Sequence, residues 1–286
     1  MTEPDEMLFT LQTWRRENMH DAPYRQLPAL LGAFLLHVVS ADGSDGAKRS
    51  APEEELRAAK LVQAAIFARG GAPDEVRRLD QIYADLSARH PGNTPILTAH
   101  GEFLWSAGER ERAHEMWERA YRLAPQDLAL LSHLGGSFLA QGKPREAMDF
   151  YEKAVAAAPD SALHHFTAAN VGFMFRHEST EGESVMLQRA LAHFQAASRL
   201  APTDANYARA YAETFYLLPT PDWQAALTAW RHFEEVSPNK DFALVNRARI
   251  HVQLGQREEA RLCLSGVHSP DFARLKARLL EKIGSE

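Results

Sequence analysis

Three prolines, Pro91, Pro125 and Pro159, stand 34 residues apart in this 286-residue chain. A fixed period of that length constrains the fold more than any other feature, because it marks a stack of small, similar units. Asn93–Pro125 reads NTPILTAHGEFLWSAGERERAHEMWERAYRLAP, and Asp127–Pro159 reads DLALLSHLGGSFLAQGKPREAMDFYEKAVAAAP. In the second copy Leu131, Leu134 and Phe138 fall on one face of a helix. Ala147, Tyr151 and Ala154 fall on one face of another. Between the two, Gly142 ends the first helix and Pro144 lies where the second begins. Small Gly135 and Ala147 stand where the helices would cross closely, with Tyr151 and Phe138 as large packing residues.

This pattern resembles the tetratricopeptide repeat. The resemblance is carried by Leu131, Leu134-Gly135, Phe138, Ala147, Tyr151, Ala154 and Pro159. In the preceding copy it is carried by Leu97, Gly101, Leu104, Ala113, Trp117, Ala120 and Pro125. His100 departs from the usual apolar residue and is expected to weaken its helix. The resemblance implies an all-α fold: a right-handed α-α superhelix of antiparallel helix pairs, of bacterial type, with about five repeats over residues 53–270.

The period then loosens. Pro159 to Pro202 is 43 residues. We assign the excess to a polar insert, Arg176–Ser184, expected to be a surface loop because it carries Gly182 and no apolar period. Tyr211-Ala212, Phe215, Ala226 and Trp230 mark a fourth copy, interrupted by LLPTPDW. Leu244, Ala248, Gly255, Ala260 and Leu264 mark a more degenerate fifth, in which His251 replaces an aromatic or Leu. Residues 271–283 read as a closing helix with Phe272, Leu275 and Leu279 inward, the polar-backed cap a solenoid needs. Upstream, two helical patterns joined by GGAP, ending with Leu79, Tyr83 and Leu86, are expected to form the first unit. Proline followed by Asp or Asn recurs at the junctions, stopping one helix and capping the next. The domain reading is therefore residues 1–50 as an N-terminal extension and residues 51–286 as the solenoid.

Composition excludes several functions. The net charge of −6 gives no general attraction to phosphate backbones, so nucleic acid is not an expected partner. One cysteine, Cys263, allows no internal disulfide and no cysteine-based zinc site; on its packed helix it reads as an inert buried thiol. The serine elbow, the phosphate loop and the H-E-x-x-H pair are all missing from the sequence. No cofactor is expected.

In such a stack the first helices line a concave face. The resemblance places Glu102 and Trp105 there, then Leu139, then Phe166, Asn170, Phe173 and Met174, then Arg209, Glu213 and Tyr216. This aromatic, mixed-polarity groove suits a peptide or partner helix. The competing reading is that several of these residues pack against a neighbouring repeat. Some family members grip a peptide's terminal carboxylate there. At the matching places this chain has Thr98, Glu102, Ser132, Gly136, Phe166 and Asn170, and only Asn170 fits. His164, His165, His177 and Glu178 invite a metal. Adjacent histidines on a helix face about 100° apart, however, and His177 lies about 18 Å beyond His165 along a continuous helix, so surface or packing roles are favoured.

Leu27–Val39 is an apolar run followed by Gly-rich polar sequence. It is shorter than the roughly 18 residues a membrane span needs. Two readings stay open. One is a buried helix covering the first repeat in a cytoplasmic protein. The other is an export signal cleaved after Ala41, which becomes ordinary if the chain starts at Met19. The sequence thus points to a non-catalytic protein–protein interaction scaffold. Alternatives are an enzyme-associated helper or small-ligand or metal enzyme using the 176–184 loop and its histidines, and a self-associating assembly protein.

Overall fold

The computed structural model of the chain describes residues 52–178 and 182–284. The 1–50 segment, with the Leu27–Val39 run and Ala41, lies outside them, as do residues 179–181 of the insert. The described residues form thirteen α-helices and three short 3-10 turns, with no strand among them. The helices are α1 (Pro52–Ala68), α2 (Pro73–Arg89), α3 (Thr94–Ser106), α4 (Arg110–Leu123), α5 (Leu128–Ala140), α6 (Pro144–Ala157) and α7 (Ala162–Met174). They continue as α8 (Glu183–Leu200), α9 (Ala205–Thr214), α10 (Trp223–Val236), α11 (Lys240–Gln253), α12 (Arg257–Ser265) and α13 (Ala273–Gly284). The chain divides into two compact units between Leu130 and Leu131, inside α5.

The junctions behave as their sequence dictates. The side chains of Asn93, Asp127 and Asn239 each accept the amide three residues on, all at 3.0 Å. Asp204 and Asp222 accept two amides each. After Pro159 the cap is Ser161 rather than the expected Asp160: its hydroxyl accepts from the His164 amide at 3.4 Å. Each such cap contributes about 1 kcal/mol by satisfying an amide the helix leaves open.

In the first unit the core is made where α2 meets α3 and α3 meets α4. Leu79, Tyr83, Leu86, Ile96, Leu97, Phe103 and Leu104 are fully buried there. Tyr83 stacks on Phe103 with centroids 5.3 Å apart. The Trp117 indole donates to the Thr98 carbonyl at 3.2 Å.

In the second unit the core is a chain of overlapping layers. Ala147, Met148 and Tyr151 of α6 meet Ala168 and Val171 of α7 and Met186 of α8. Ala169 meets Ala190 and Phe194. Ala208, Ala212 and Phe215 meet Trp230 and Phe233, then Ala243 and Ile250. Val245, Ala248, Cys263 and Leu264 close against Leu279 and Ile283 of α13. Phe272 and Leu275 pack on that last layer, so the closing helix buries the face expected of it.

The insert differs from the expected loop. Arg176–Glu178 is a 3-10 turn, and residues 183 and 184 begin α8. That helix has 18 residues, against 14 in α4, α6 and α10. Four of the extra residues therefore lengthen a helix. Glu183 fastens the turn: its carboxylate accepts from Arg176 Nε at 3.0 Å and lies 3.2 Å from His177 Nδ1.

Candidate functional site: the first-helix faces

In the second unit α7 presents an unusual surface. Its sequence, ALHHFTAANVGFM, carries no Asp, Glu, Lys or Arg. Two large apolar side chains stand out from it, Leu163 at 55% and Met174 at 65% exposure. Phe166 and Phe173 are half-buried beside them. Phe166 is held by Phe194, centroids 5.6 Å apart, and by Tyr207 at 4.7 Å. Phe173 lies under the Arg176 guanidinium at 4.6 Å, and that group also donates to the Phe173 carbonyl. Asn170 donates its amide to the Phe166 carbonyl at 2.9 Å. Leu139 of α5 is half-buried against the Ala147–Tyr151 layer.

The structure joins Arg209, Glu213 and Tyr216 to α11. Arg209 Nε donates to Glu213 Oε1 at 3.0 Å, and its guanidinium lies 5.7 Å from the Phe242 ring centroid. The Tyr216 hydroxyl donates to the Asn246 carbonyl at 3.0 Å, and the Arg249 guanidinium covers the Tyr216 ring at 4.4 Å. Arg249 Nη1 also donates to Asn246 Oδ1 at 2.9 Å. Burial pushes the Tyr216 hydroxyl up to about 12, so it stays protonated and remains a donor. Asn246 and Arg249 were not singled out from the sequence. The signal for Asn246 is present, however: FTAAN at 166–170 recurs as FALVN at 242–246. In both, the Asn amide donates to the Phe carbonyl at 2.9 Å.

Two of the predicted residues, Glu102 and Trp105, belong to the first unit. Glu102 lies 4.0 Å from Lys60 Nζ. Trp105 is half-buried, tilted against Trp117 with centroids 5.4 Å apart and covered by the Arg110 guanidinium at 4.3 Å.

His100, the polar residue at a usually apolar place in the repeat, is buried and partnered. Its Nδ1 is 3.0 Å from Ser87 Oγ, its Nε2 faces the Asp80 carboxylate at 3.5 Å, and its ring stacks on Tyr83. Asp80 in turn takes both guanidinium nitrogens of Arg112, at 3.0 and 2.9 Å. Ser–His–Asp is a nucleophile's arrangement, but Ser87 and His100 are only 3% and 4% exposed, so no substrate reaches the hydroxyl. His251 is buried too, its Nδ1 2.7 Å from Gln256 Oε1. Of the histidines that invite a metal, His177 is tied to Glu183, while His165 pairs with His193 of α8, 28 residues further along the chain. No group of three His, Cys, Asp or Glu among the described residues could hold a metal ion.

Helix pairs in repeat, each burying the next, define a helical-repeat protein. The tetratricopeptide repeat family model matches residues 104–169, from the end of α3 in the first regular copy, across the whole second copy, and into α7. A TPR repeat-containing protein of Treponema pallidum (strain Nichols) is 28% identical over 174 residues, covering 56% of this chain. The chain spans only 20% of that relative's length. Among solved structures, YrrB, a TPR protein described as having an unusual peptide-binding site, has a TM-score of 0.55 at 18% identity. The match covers 70% of this chain and 97% of YrrB. PilF of Pseudomonas aeruginosa has a TM-score of 0.50 at 14% identity, covering 81% of this chain and 97% of that one. Residues 104–169 thus carry tetratricopeptide repeats, and the described helix pairs have the fold of tetratricopeptide-repeat proteins. Among its described residues no helix is long and apolar enough to cross a membrane.

Proposed function

We propose that this protein is a non-catalytic interaction scaffold, and that the exposed side of α7 in the second unit is its principal docking surface for a peptide or helix of a partner. The observation that carries this is the charge-free α7 stripe, with Leu163 and Met174 left in solvent at its two ends. Eleven residues apart, they are spaced about 16 Å along the helix, which suits a partner segment with two apolar anchors. Arg209 and Arg249 lie on the following first helices of the same unit and supply cationic, hydrogen-bonding edges. The peptide-binding site described for YrrB, whose fold is similar, supports a peptide over a small molecule as the ligand.

The test is capture of partners from native lysate by the full chain and by Leu163→Glu/Met174→Glu, with captured proteins identified by mass spectrometry. Both positions are exposed, so the double variant should unfold at the same urea midpoint while losing its specific partners. Every specific partner remaining bound to the folded variant would sink the reading. Phe166, Phe173 and Tyr216 are poorer probes, because their rings also pack the unit. We further place the protein in the cytoplasm, on the strength of a single buried thiol. An intact-mass measurement giving a chain that begins at Asp42 would overturn that.

A further inference from the structure

One cluster lies outside that surface and crosses three helices. His165 of α7 and His193 of α8 face each other with Nδ1 atoms 3.0 Å apart. His165 Nε2 is 3.0 Å from the Pro159 carbonyl oxygen, and His193 Nε2 is 3.2 Å from Glu152 Oε1 on α6. The ring centroids are 5.2 Å apart, about the N···N distance plus two ring radii. The two nitrogens therefore point along one line, as in an N–H···N bond. Two ligands of one metal ion would instead aim their lone pairs at a common point beside that line.

Donor and acceptor rules fix the protons in this chain. A carbonyl only accepts, so His165 Nε2 must donate to Pro159. In a neutral ring that leaves His165 Nδ1 as acceptor, so His193 Nδ1 must donate to it. A carboxylate only accepts, so His193 Nε2 must donate to Glu152. All three links hold together only when His193 carries two protons and His165 one. With one proton fewer, a lone pair faces a lone pair or the carboxylate. With one more, N–H faces N–H between two adjacent cations. The His193 bond, above all, holds the Glu152 carboxyl below its ordinary value, so Glu152 is the acceptor this scheme requires.

We propose that Glu152, His193, His165 and the Pro159 carbonyl form a proton-counted latch across α6, α7 and α8. It closes in one protonation state of the histidine pair and opens on either side of it. The groups around it are Glu152 from α6, His193 and Arg189 from α8, and His165 with neighbouring His164 from α7. On α9, Asp204 is committed to its own helix start and Arg209 to Glu213. His193 and Glu152 are 14% and 36% exposed, so protons can exchange with solvent. Because His165 lies on α7, the latch would regulate the docking surface. That consequence rests on the binding reading above, whereas the latch does not.

The test is a pH titration of the imidazole carbon and nitrogen resonances in the full chain, assigned with His165→Gln and His193→Gln. The pair should titrate in two steps at least about one pH unit apart, a tenfold difference in proton affinity. His193→Gln should collapse His165 to a single step. Glu152→Gln should move the higher step down by a similar factor. Independent single steps, with His165 unmoved by His193→Gln, would overturn the proposal. If the Gln variants fold poorly, amide exchange in the wild type decides. Protection of α7 relative to α11 should peak at intermediate pH and fall severalfold on both sides, and a monotonic ratio would overturn it. Two-step titration with pH-independent partner capture would leave the latch standing and remove only its control over docking on α7.

Discussion

The ring of Tyr151 occupies the space a β-carbon on Gly135 would need: that atom would stand 2.8 Å from Cζ. On Gly136 a β-carbon would meet nothing nearer than the Tyr151 hydroxyl at 3.8 Å. Neighbouring glycines in one helix therefore have opposite roles. Gly135→Ala forces the α5 and α6 backbones apart and should destabilise the second unit by about 1–3 kcal/mol. Gly136→Ala meets open space and should gain up to about 1 kcal/mol of helix propensity. Urea midpoints measure both, and equal shifts would contradict the packing argument. In the first unit Gly101 repeats the relation, its missing β-carbon leaving the space that the Trp117 indole fills.

These close crossings explain why so much of the fold was legible. Gly135, Ala147 and Tyr151 occur at one period because a helix pair needs a small residue where its partner's aromatic lies. That need is local in sequence. The caps were legible for the same reason, since Asn93, Asp127 and Asn239 act on amides three residues away. What escaped the sequence is contact between units of the repeat. His193 lies 28 residues from His165, Asn246 lies 30 from Tyr216, and Ser87 lies 13 from His100 across a helix junction. No periodicity encodes such pairings. The extra turn of α8 was hidden because ESVMLQ joins the helix without a capping side chain to announce it.

His100 offers a test of buried polarity. His100→Leu restores the usual apolar residue but strands the Ser87 hydroxyl, which should cost about 1–3 kcal/mol. Adding Ser87→Ala should recover most of that loss. The pH dependence follows from burial, which, as the largest effect, lowers the His100 pKa below its ordinary 6.5. The unfolded chain then takes up a proton that the folded chain refuses, so this contribution is complete above pH 6.5 and is lost as pH falls through that value. The wild type should therefore lose first-unit stability on acidification more steeply than the double variant. Parallel profiles of unfolding midpoint against pH would refute the assignment.

Tyr216 separates a hydrogen bond from a ring. Tyr216→Phe keeps the contacts with Trp223, Trp230 and Arg249 and removes only the donor to the Asn246 carbonyl. The expected loss is about 0.5–1.5 kcal/mol in unfolding free energy. Tyr216→Ala, which also removes the aromatic packing, should cost about 3–5 kcal/mol. Similar losses in the two variants would mean that the ring contributes little.

Asp241 ties the start of α11 to the turn before α13. Its carboxylate accepts the backbone amides of His268 and Ser269, and these bonds hold its pKa below the ordinary 3.8. Such a group stabilises the fold above its unfolded-state value, and the contribution is lost as pH falls through the folded one. Asp241→Ala should speed amide exchange at His268 and Ser269 and loosen α13 at neutral pH, mimicking acidification below 3.8. Unchanged exchange at both amides would show that the turn holds itself.

Leu279 and Leu280 are adjacent on α13, yet only Leu279 belongs to the layer that contains Cys263. Leu280 is 42% exposed. Burial, as the largest effect, raises the Cys263 thiol above its ordinary value, so thiolate is scarce as well as shielded. Reaction with a disulfide reagent at mildly alkaline pH should therefore wait on opening of the α12–α13 closure. Leu279→Ala leaves a cavity costing about 2–3 kcal/mol, which should raise the labelling rate roughly thirtyfold or more. Leu280→Ala should leave it within about twofold, since exposed substitutions stay near 0.5 kcal/mol. Equal acceleration by both variants would mean that reagent reaches Cys263 without displacing α13.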